Sequence, residues 1–182
     1  MNVKKIKTLI IKYSKNPLAV FLVKGFLFFV AWNLLIFPFI FTPAFHNWVI
    51  YRLVDISVIV LGWFFQYVTG VGTEIFINSK HMVHIGIPCN GIDVMGVYAC
   101  IILAFHAPWY HKLWMVIVGC IMVFFLNIIR ICGLSALLFN HNIHAFDINH
   151  KYIFNTILYA VLLILFSIWS SKFGTKPVKT TN

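Results

Sequence analysis

Long apolar stretches constrain this chain more than any other feature. The first, from Ala19 to Phe41, is 23 residues long, and a helix needs about 20 mainly apolar residues to cross a bilayer. The sequence therefore predicts a span at 17–41, with further spans at 89–106, 113–139 and 152–171. The chain is 62% apolar and 10% charged, whereas soluble domains are about 45–50% apolar and about 25% charged. An integral membrane protein follows, and a soluble enzyme, a disordered chain and a disulfide mini-protein are excluded.

The basic N-terminus followed by an apolar stretch has the general pattern of a signal peptide. The apolar stretch is too long for one, however, and no A-x-A cleavage site follows it, so we interpret it as a retained span. Residues 1–16 alternate lysines with apolar residues and predict a basic, cytoplasmic or interfacial segment. The predicted organisation is this segment, a single membrane domain at 17–172 and a basic cytoplasmic tail at 173–182.

Two segments do not have the pattern of ordinary spans. Residues 46–71 carry Arg52 and Asp55 early and then only about 16 apolar residues, which is short for a crossing. We therefore interpret them as a helix that lies in or dips into the outer leaflet, which leaves four true spans. Residues 72–88 alternate apolar with polar or small residues and predict a β-hairpin with its turn at 78–80. An open hairpin cannot face lipid, so it must lie outside the hydrocarbon.

The predicted fold class is an all-α integral membrane protein. It is a bundle of four to five transmembrane helices, with a small extracytoplasmic β-hairpin before the helix that starts near Cys89. The four cysteines have no C-x-x-C or zinc-ribbon spacing, and three of them lie in apolar runs.

The net charge of +10 indicates the orientation of the bundle, because Lys and Arg accumulate on the cytoplasmic side. Ten cations fall on one predicted side: Lys4, Lys5, Lys7, Lys12, Lys15, Lys24, Lys112, Lys172, Lys176 and Lys179. The other side carries four cations and four acids: Arg52, Lys80, Arg130, Lys151, Asp55, Glu74, Asp93 and Asp147. The charge thus predicts contact with anionic lipid on the cytoplasmic side rather than with nucleic acid.

Consecutive spans alternate in direction, so three chemically active residues are predicted to meet at one face. Cys89 starts one span and His150 precedes the last one. Arg130 lies 18 residues after Lys112, which is roughly 27 Å along a helix, and it therefore lies near the same interface. By the charge rule this face is extracytoplasmic.

A thiol, a guanidinium and an imidazole together are suited to acyl transfer. Cys89 is the candidate nucleophile, because a helix N-terminus and nearby cations favour the reactive thiolate. Arg130 is the candidate for stabilising the thiolate or an oxyanion, and His150 is the candidate general base and acid. Asn127 shares the helix face of Arg130 and is a supporting candidate.

Each assignment has an alternative. Cys89 is alternatively an inert interfacial cysteine, and Arg130 a structural partner of Asp93 or a snorkelling residue. His141 and His144 compete with His150. The role of Asp93 stays undefined, and Asp147 either orients a histidine or is simply a solvated acid. His81 and His84 are predicted on opposite faces of a strand, so they are not expected to form a metal site.

With these residues in place, the sequence resembles the exosortase/archaeosortase family of membrane-embedded sorting enzymes. The resemblance rests on Cys89-Asn90-Gly91-Ile92, on Asn127-Ile128-Ile129-Arg130-Ile131 late in the next span, and on His150 before the last span. It covers roughly residues 70–172 and implies that the catalytic Cys, Arg and His are Cys89, Arg130 and His150, with Asn90 and Gly91 in the cysteine motif.

The resemblance also implies a cysteine protease or transpeptidase of the bacterial cytoplasmic (inner) membrane, with no cofactor or metal. Its partners would be membrane-tethered proteins with a C-terminal motif, a transmembrane helix and a basic tail, cleaved at the outer face and passed to an acceptor. The main alternative is a non-catalytic accessory or assembly subunit of a secretion or surface-polysaccharide system. A small carrier or thiol-redox protein is less compatible, because Cys89 has no paired cysteine nearby and no polar stripe crosses mid-membrane.

Overall fold

The computed structural model describes residues 16–140, 148 and 152–174. Its elements, in chain order, are α1 (Pro17–Ala31), a π-helical segment (Trp32–Ile36), α2 (Phe37–Ile40), α3 (Pro43–Leu61), β1 (Val68–Val71), β2 (Glu74–Ile77), β3 (Lys80–His84), a 3₁₀ turn (Ile87–Cys89), α4 (Ile92–Ala104), α5 (Trp109–Phe139) and α6 (Phe154–Phe173). The protein is an integral membrane helical protein with one small antiparallel sheet, which confirms the predicted fold class.

Four helical stretches of the described chain are long and apolar enough to cross a membrane. They are Pro17–Ile40, α3, α5 and α6. The prediction of a span at 89–106 is only partly met, because α4 has 13 residues and a length of about 20 Å. It is shortened at its start by the turn that contains Cys89, and at its end by the extended backbone of Phe105.

Prolines and capping side chains set where the first helices begin. The side chain of Asn16 accepts a hydrogen bond from the backbone of Leu18, and Pro17 takes the first helical position, where its missing N–H costs nothing. Thr42 and Pro43 start α3 in the same way. Pro38 lies inside the first helical stretch, and the backbone before it widens into the π-helical segment, a common response to a disrupted hydrogen-bond ladder.

The predicted hairpin is present, but it belongs to a three-stranded sheet in the order β1-β2-β3. Asn78 and Ser79 form its tight turn with φ values of 52° and 61°, the left-handed conformation that suits two-residue hairpin loops. Strand β1 was not predicted, because Val68–Val71 lies in the stretch 46–71 interpreted as one helix. A short apolar run does not distinguish strand from helix by its periodicity.

Helix α3 packs against both the sheet and the second half of α5. A Cβ atom on Gly70 of β1 would lie 2.6 Å from Cγ1 of Val54, so the strand packs directly on the valine side chains of the helix. The Cys132 thiol lies 3.8 Å from the Ser57 carbonyl oxygen, and the rings of Phe65 and Phe139 lie 4.9 Å apart. Helix α3 and the last turns of α5 therefore run side by side in the same direction.

Most of the buried apolar side chains among the described residues belong to two clusters. The first joins α3, the sheet and the second half of α5, and the start of α4 contributes Ile92. The second lies between α4, α5 and α6 and includes Tyr98, Val123 and Trp169. Cys89 packs against the first cluster, so the candidate site lies where α3 and the sheet meet the bundle.

Candidate functional site

Cys89 occupies the last position of a 3₁₀ turn, and its side chain is partly exposed. Its backbone N–H donates to the Gly86 carbonyl at 2.9 Å. The prediction that Cys89 itself begins the helix is therefore wrong by three residues, because α4 begins at Ile92. The turn nevertheless leads directly into the helix N-terminus.

Gly91 allows this close junction between the turn and α5. It adopts a φ of +79° as the residue before α4, a conformation that favours glycine. A Cβ atom at this position would clash with Nδ2 of Asn127 and lie 2.8 Å from Cγ1 of Val123. Glycine therefore lets the backbone next to Cys89 lie directly on the face of α5 that carries Asn127.

Arg130 is the charged group that meets Cys89. Its Nη2 lies 3.9 Å from the Cys89 Sγ, and the two side chains are partly buried. The contact therefore places a positive charge beside the thiol. The two residues are 41 positions apart in sequence, and the structure brings them together as the sequence predicted.

The alternative role for Arg130 as a partner of Asp93 has no support in the described part of the chain. The ion pairs found there are Arg52–Asp55 and the contacts of Glu74 with His81 and His84. Asp93 is exposed in the first turn of α4 and lines an apolar groove of about 480 Å³ between α1, α4 and α6.

His150 lies outside the described residues, as do His141, His144, Asp147 and Lys151. Two described residues four and five positions after His150 nonetheless lie near Arg130. Phe154 and Asn155, at the start of α6, line a cavity of about 60 Å³ together with Arg130 and Asn127. The chain thus enters α6 beside the guanidinium.

Asn127 is buried at 3% exposure, and its Nδ2 has no hydrogen-bond partner within the described residues. It packs beneath Gly91 and borders the cavity next to Arg130. The structure therefore places this supporting candidate between the cysteine turn and the arginine.

Asn90 is buried at 2% exposure and is hydrogen-bonded at both ends of its amide. Its Oδ1 accepts from the backbone N–H of Ile92 at 3.0 Å, and its Nδ2 lies 2.7 Å from Nδ1 of His46. Sequence reasoning missed His46, which lies 44 residues earlier in the first turns of α3. No local motif marks it, and only the fold brings it to the cysteine turn.

His81 and His84 correct a further prediction. They were expected on opposite faces of a strand, but both lie near Glu74, at 4.0 and 3.8 Å from its carboxylate oxygens. A register irregularity between Ile75 and Phe76 in the facing strand breaks the simple alternation of side chains. Within the residues that the structure describes, no group of three or more His, Cys, Asp or Glu side chains is placed to hold a metal ion.

The chain was compared with models of known protein families, and the transmembrane exosortase model (Exosortase_EpsH) matches residues 18–168. The chain belongs to the transmembrane exosortase family. The match covers the first helical stretch, the sheet, the cysteine turn and most of α6, so the exosortase assignment includes all parts of the site described above. No curated protein and no solved structure matched this exosortase significantly.

Proposed function

We propose that this exosortase is a cysteine protease or transpeptidase acting on membrane-tethered exported proteins. The observation that carries the proposal is the 3.9 Å contact between Arg130 Nη2 and Cys89 Sγ. Family membership supports it, because the matched region includes both residues. The proposed substrates carry a C-terminal motif, a transmembrane helix and a basic tail, and the acceptor is an amine or water.

In the proposed mechanism, Cys89 Sγ attacks the carbonyl carbon of the scissile peptide bond. The Arg130 guanidinium favours the attacking thiolate and stabilises the negative charge that develops on the carbonyl oxygen. The C–N bond then breaks, and His150 supplies the proton that the departing amine needs. An acceptor amine or water then attacks the resulting thioester and gives a proton back to His150. The C–S bond breaks, and the thiolate is regenerated.

We further propose that the site faces the extracytoplasmic side of a bacterial inner membrane. Lys112 near the start of α5 and Lys172 near the end of α6 lie at the ends of these helices opposite to Arg130 and Phe154, as the positive-inside rule favours. A membrane-impermeant thiol reagent applied to cells should label a cysteine introduced at position 80 and not one at position 112. Labelling at position 112 from outside would reverse the orientation.

Replacing the nucleophile tests the catalytic proposal. Cys89→Ala should leave the protein inserted and abundant but eliminate processing of a tagged substrate with a C-terminal transmembrane segment and basic tail. Cys132→Ala is the matched control, since Cys132 lies in α5 close to the site but points to the Ser57 carbonyl. Anti-tag immunoblots of membranes measure the uncleaved and cleaved forms. Normal processing by Cys89→Ala would support the non-catalytic accessory role instead.

A further inference from the structure

The imidazole of His46 is a buried polar group, close to the cysteine turn, that the proposed mechanism does not use. Only 5% of His46 is exposed, although histidine carries two polar ring nitrogens. Its ring lies 5.6 Å from the ring of Phe37 and 6.4 Å from that of Phe41. Burial of a polar ring among aromatic groups is unfavourable unless it is hydrogen-bonded, and the bond to Asn90 provides a partner for Nδ1.

The orientation of the Asn90 amide determines the hydrogen-bonding role of His46 Nδ1. Because Oδ1 of Asn90 accepts from the backbone N–H of Ile92, Nδ2 is the end that faces His46. An amide nitrogen only donates, so Nδ1 of His46 must accept and the ring proton is on Nε2. The arrangement therefore depends on a hydrogen-bond acceptor at this position of α3.

This hydrogen bond ties the residue next to Cys89 to a separate helix. Asn90 is joined to α3 through His46 and to the first turn of α4 through Ile92. Gly91, which follows, is packed against Asn127 and Val123 of α5. The backbone that carries Cys89 is thus fixed by α3 on one side and, on the other, by the helix that carries Arg130.

We infer that His46 is a positioning residue, which acts through Asn90 to hold the Cys89 thiol against Arg130. Its catalytic importance rests on the proposed function. The positioning itself does not, because it is measurable as the reactivity of Cys89 without any substrate.

The test uses the full-length protein with Cys100, Cys120 and Cys132 replaced by Ala, so that Cys89 is the remaining thiol. The rate of alkylation by N-ethylmaleimide, at a fixed pH in detergent micelles, reports the reactivity of the Cys89 sulfur beside Arg130. His46→Phe removes the acceptor and keeps an aromatic ring in place. His46→Gln keeps an acceptor, because its Oε1 can receive the hydrogen that Asn90 donates.

We expect His46→Phe to slow the alkylation of Cys89 about tenfold, the scale of losing one hydrogen bond to a buried polar group. His46→Gln should stay within about threefold of the parent protein. His111→Phe is the control, because that ring packs against Phe173 at the other end of α5, and it should not change the rate. Asn90→Ala should slow alkylation as much as His46→Phe does, and the double variant should be no slower than either single variant.

Unchanged alkylation in His46→Phe would overturn the inference, even if its melting temperature fell, since that result describes a purely structural residue. Equal slowing in His46→Gln and His46→Phe would also overturn it, because the ring and not the acceptor would then matter. If His46→Phe does not fold, His46→Leu replaces it with the same expected rate. The alkylation series tests the positioning role of His46 whether or not Cys89→Ala abolishes processing. Failure of the positioning proposal can therefore be distinguished from failure of the catalytic proposal.

Discussion

The first helical stretch and helix α3 are neighbours in sequence but differ in what they contribute. The stretch Pro17–Ile40 has a mean hydropathy of 2.2, and none of the residues in its most apolar window is buried. Helix α3 has a mean hydropathy of 1.4, and 39% of the residues in its most apolar window are buried. The more apolar helix therefore faces its surroundings, and the less apolar one forms the core. Lipid tails are as apolar as leucine, so exposure to lipid does not select against apolar residues.

This difference also explains which helix supports the site. Helix α3 buries seven residues, including His46 and Ser57, and it contacts the sheet, the second half of α5 and the cysteine turn. A polar residue in a buried position can be matched with a specific partner, as His46 is with Asn90. The helix with the weaker membrane signal is thus the one that helps to place Cys89.

The largest effect expected from this comparison is at Leu53 of α3, which is completely buried in the first cluster. Leu53→Ala should lower the free energy of unfolding by about 2–5 kcal/mol, since it removes buried contacts and leaves a cavity. Unfolding in detergent micelles, followed by tryptophan fluorescence, measures the change. A loss below about 1 kcal/mol would mean that α3 is not part of a tightly packed core.

A much smaller effect is expected from the same substitution in α1. Leu27 is 60% exposed, and lipid or detergent replaces the lost methyl groups. Leu27→Ala should therefore change the free energy of unfolding by less than about 1 kcal/mol in the same assay. If Leu27→Ala destabilised the protein as much as Leu53→Ala, the contrast between the two helices would be refuted.

The sequence predicted the parts of the fold that depend on local pattern. The first, third and fourth predicted spans correspond to helices, and the turn at 78–80 follows from Asn78 and Ser79. Strand β1 was not predictable, because Val68–Val71 becomes a strand only by pairing with β2. The start of α4 was misplaced because the left-handed conformation of Gly91 depends on packing against α5.

The candidate site was predictable to a similar degree. The common face of Cys89 and Arg130 followed from alternating spans and helix rise, which are properties of any helical bundle, whereas their direct contact comes from the structure. The partnership of His46 and Asn90 depends instead on how α3 folds back beside the bundle, and no periodic pattern encodes that. The position of His150 stays a prediction, because it lies outside the described residues.

The central claim is that Cys89, beside Arg130, is a nucleophile that forms a covalent intermediate. The most direct measurement is mass spectrometry of the purified protein after incubation with a tagged membrane-tethered substrate. We predict a thioester between Cys89 and the N-terminal portion of the cleaved substrate, which hydroxylamine releases, and much less of it in Arg130→Gln. The account would be contradicted if the protein cleaved the substrate without any modification of Cys89 and if Cys89→Ala cleaved it at the same rate.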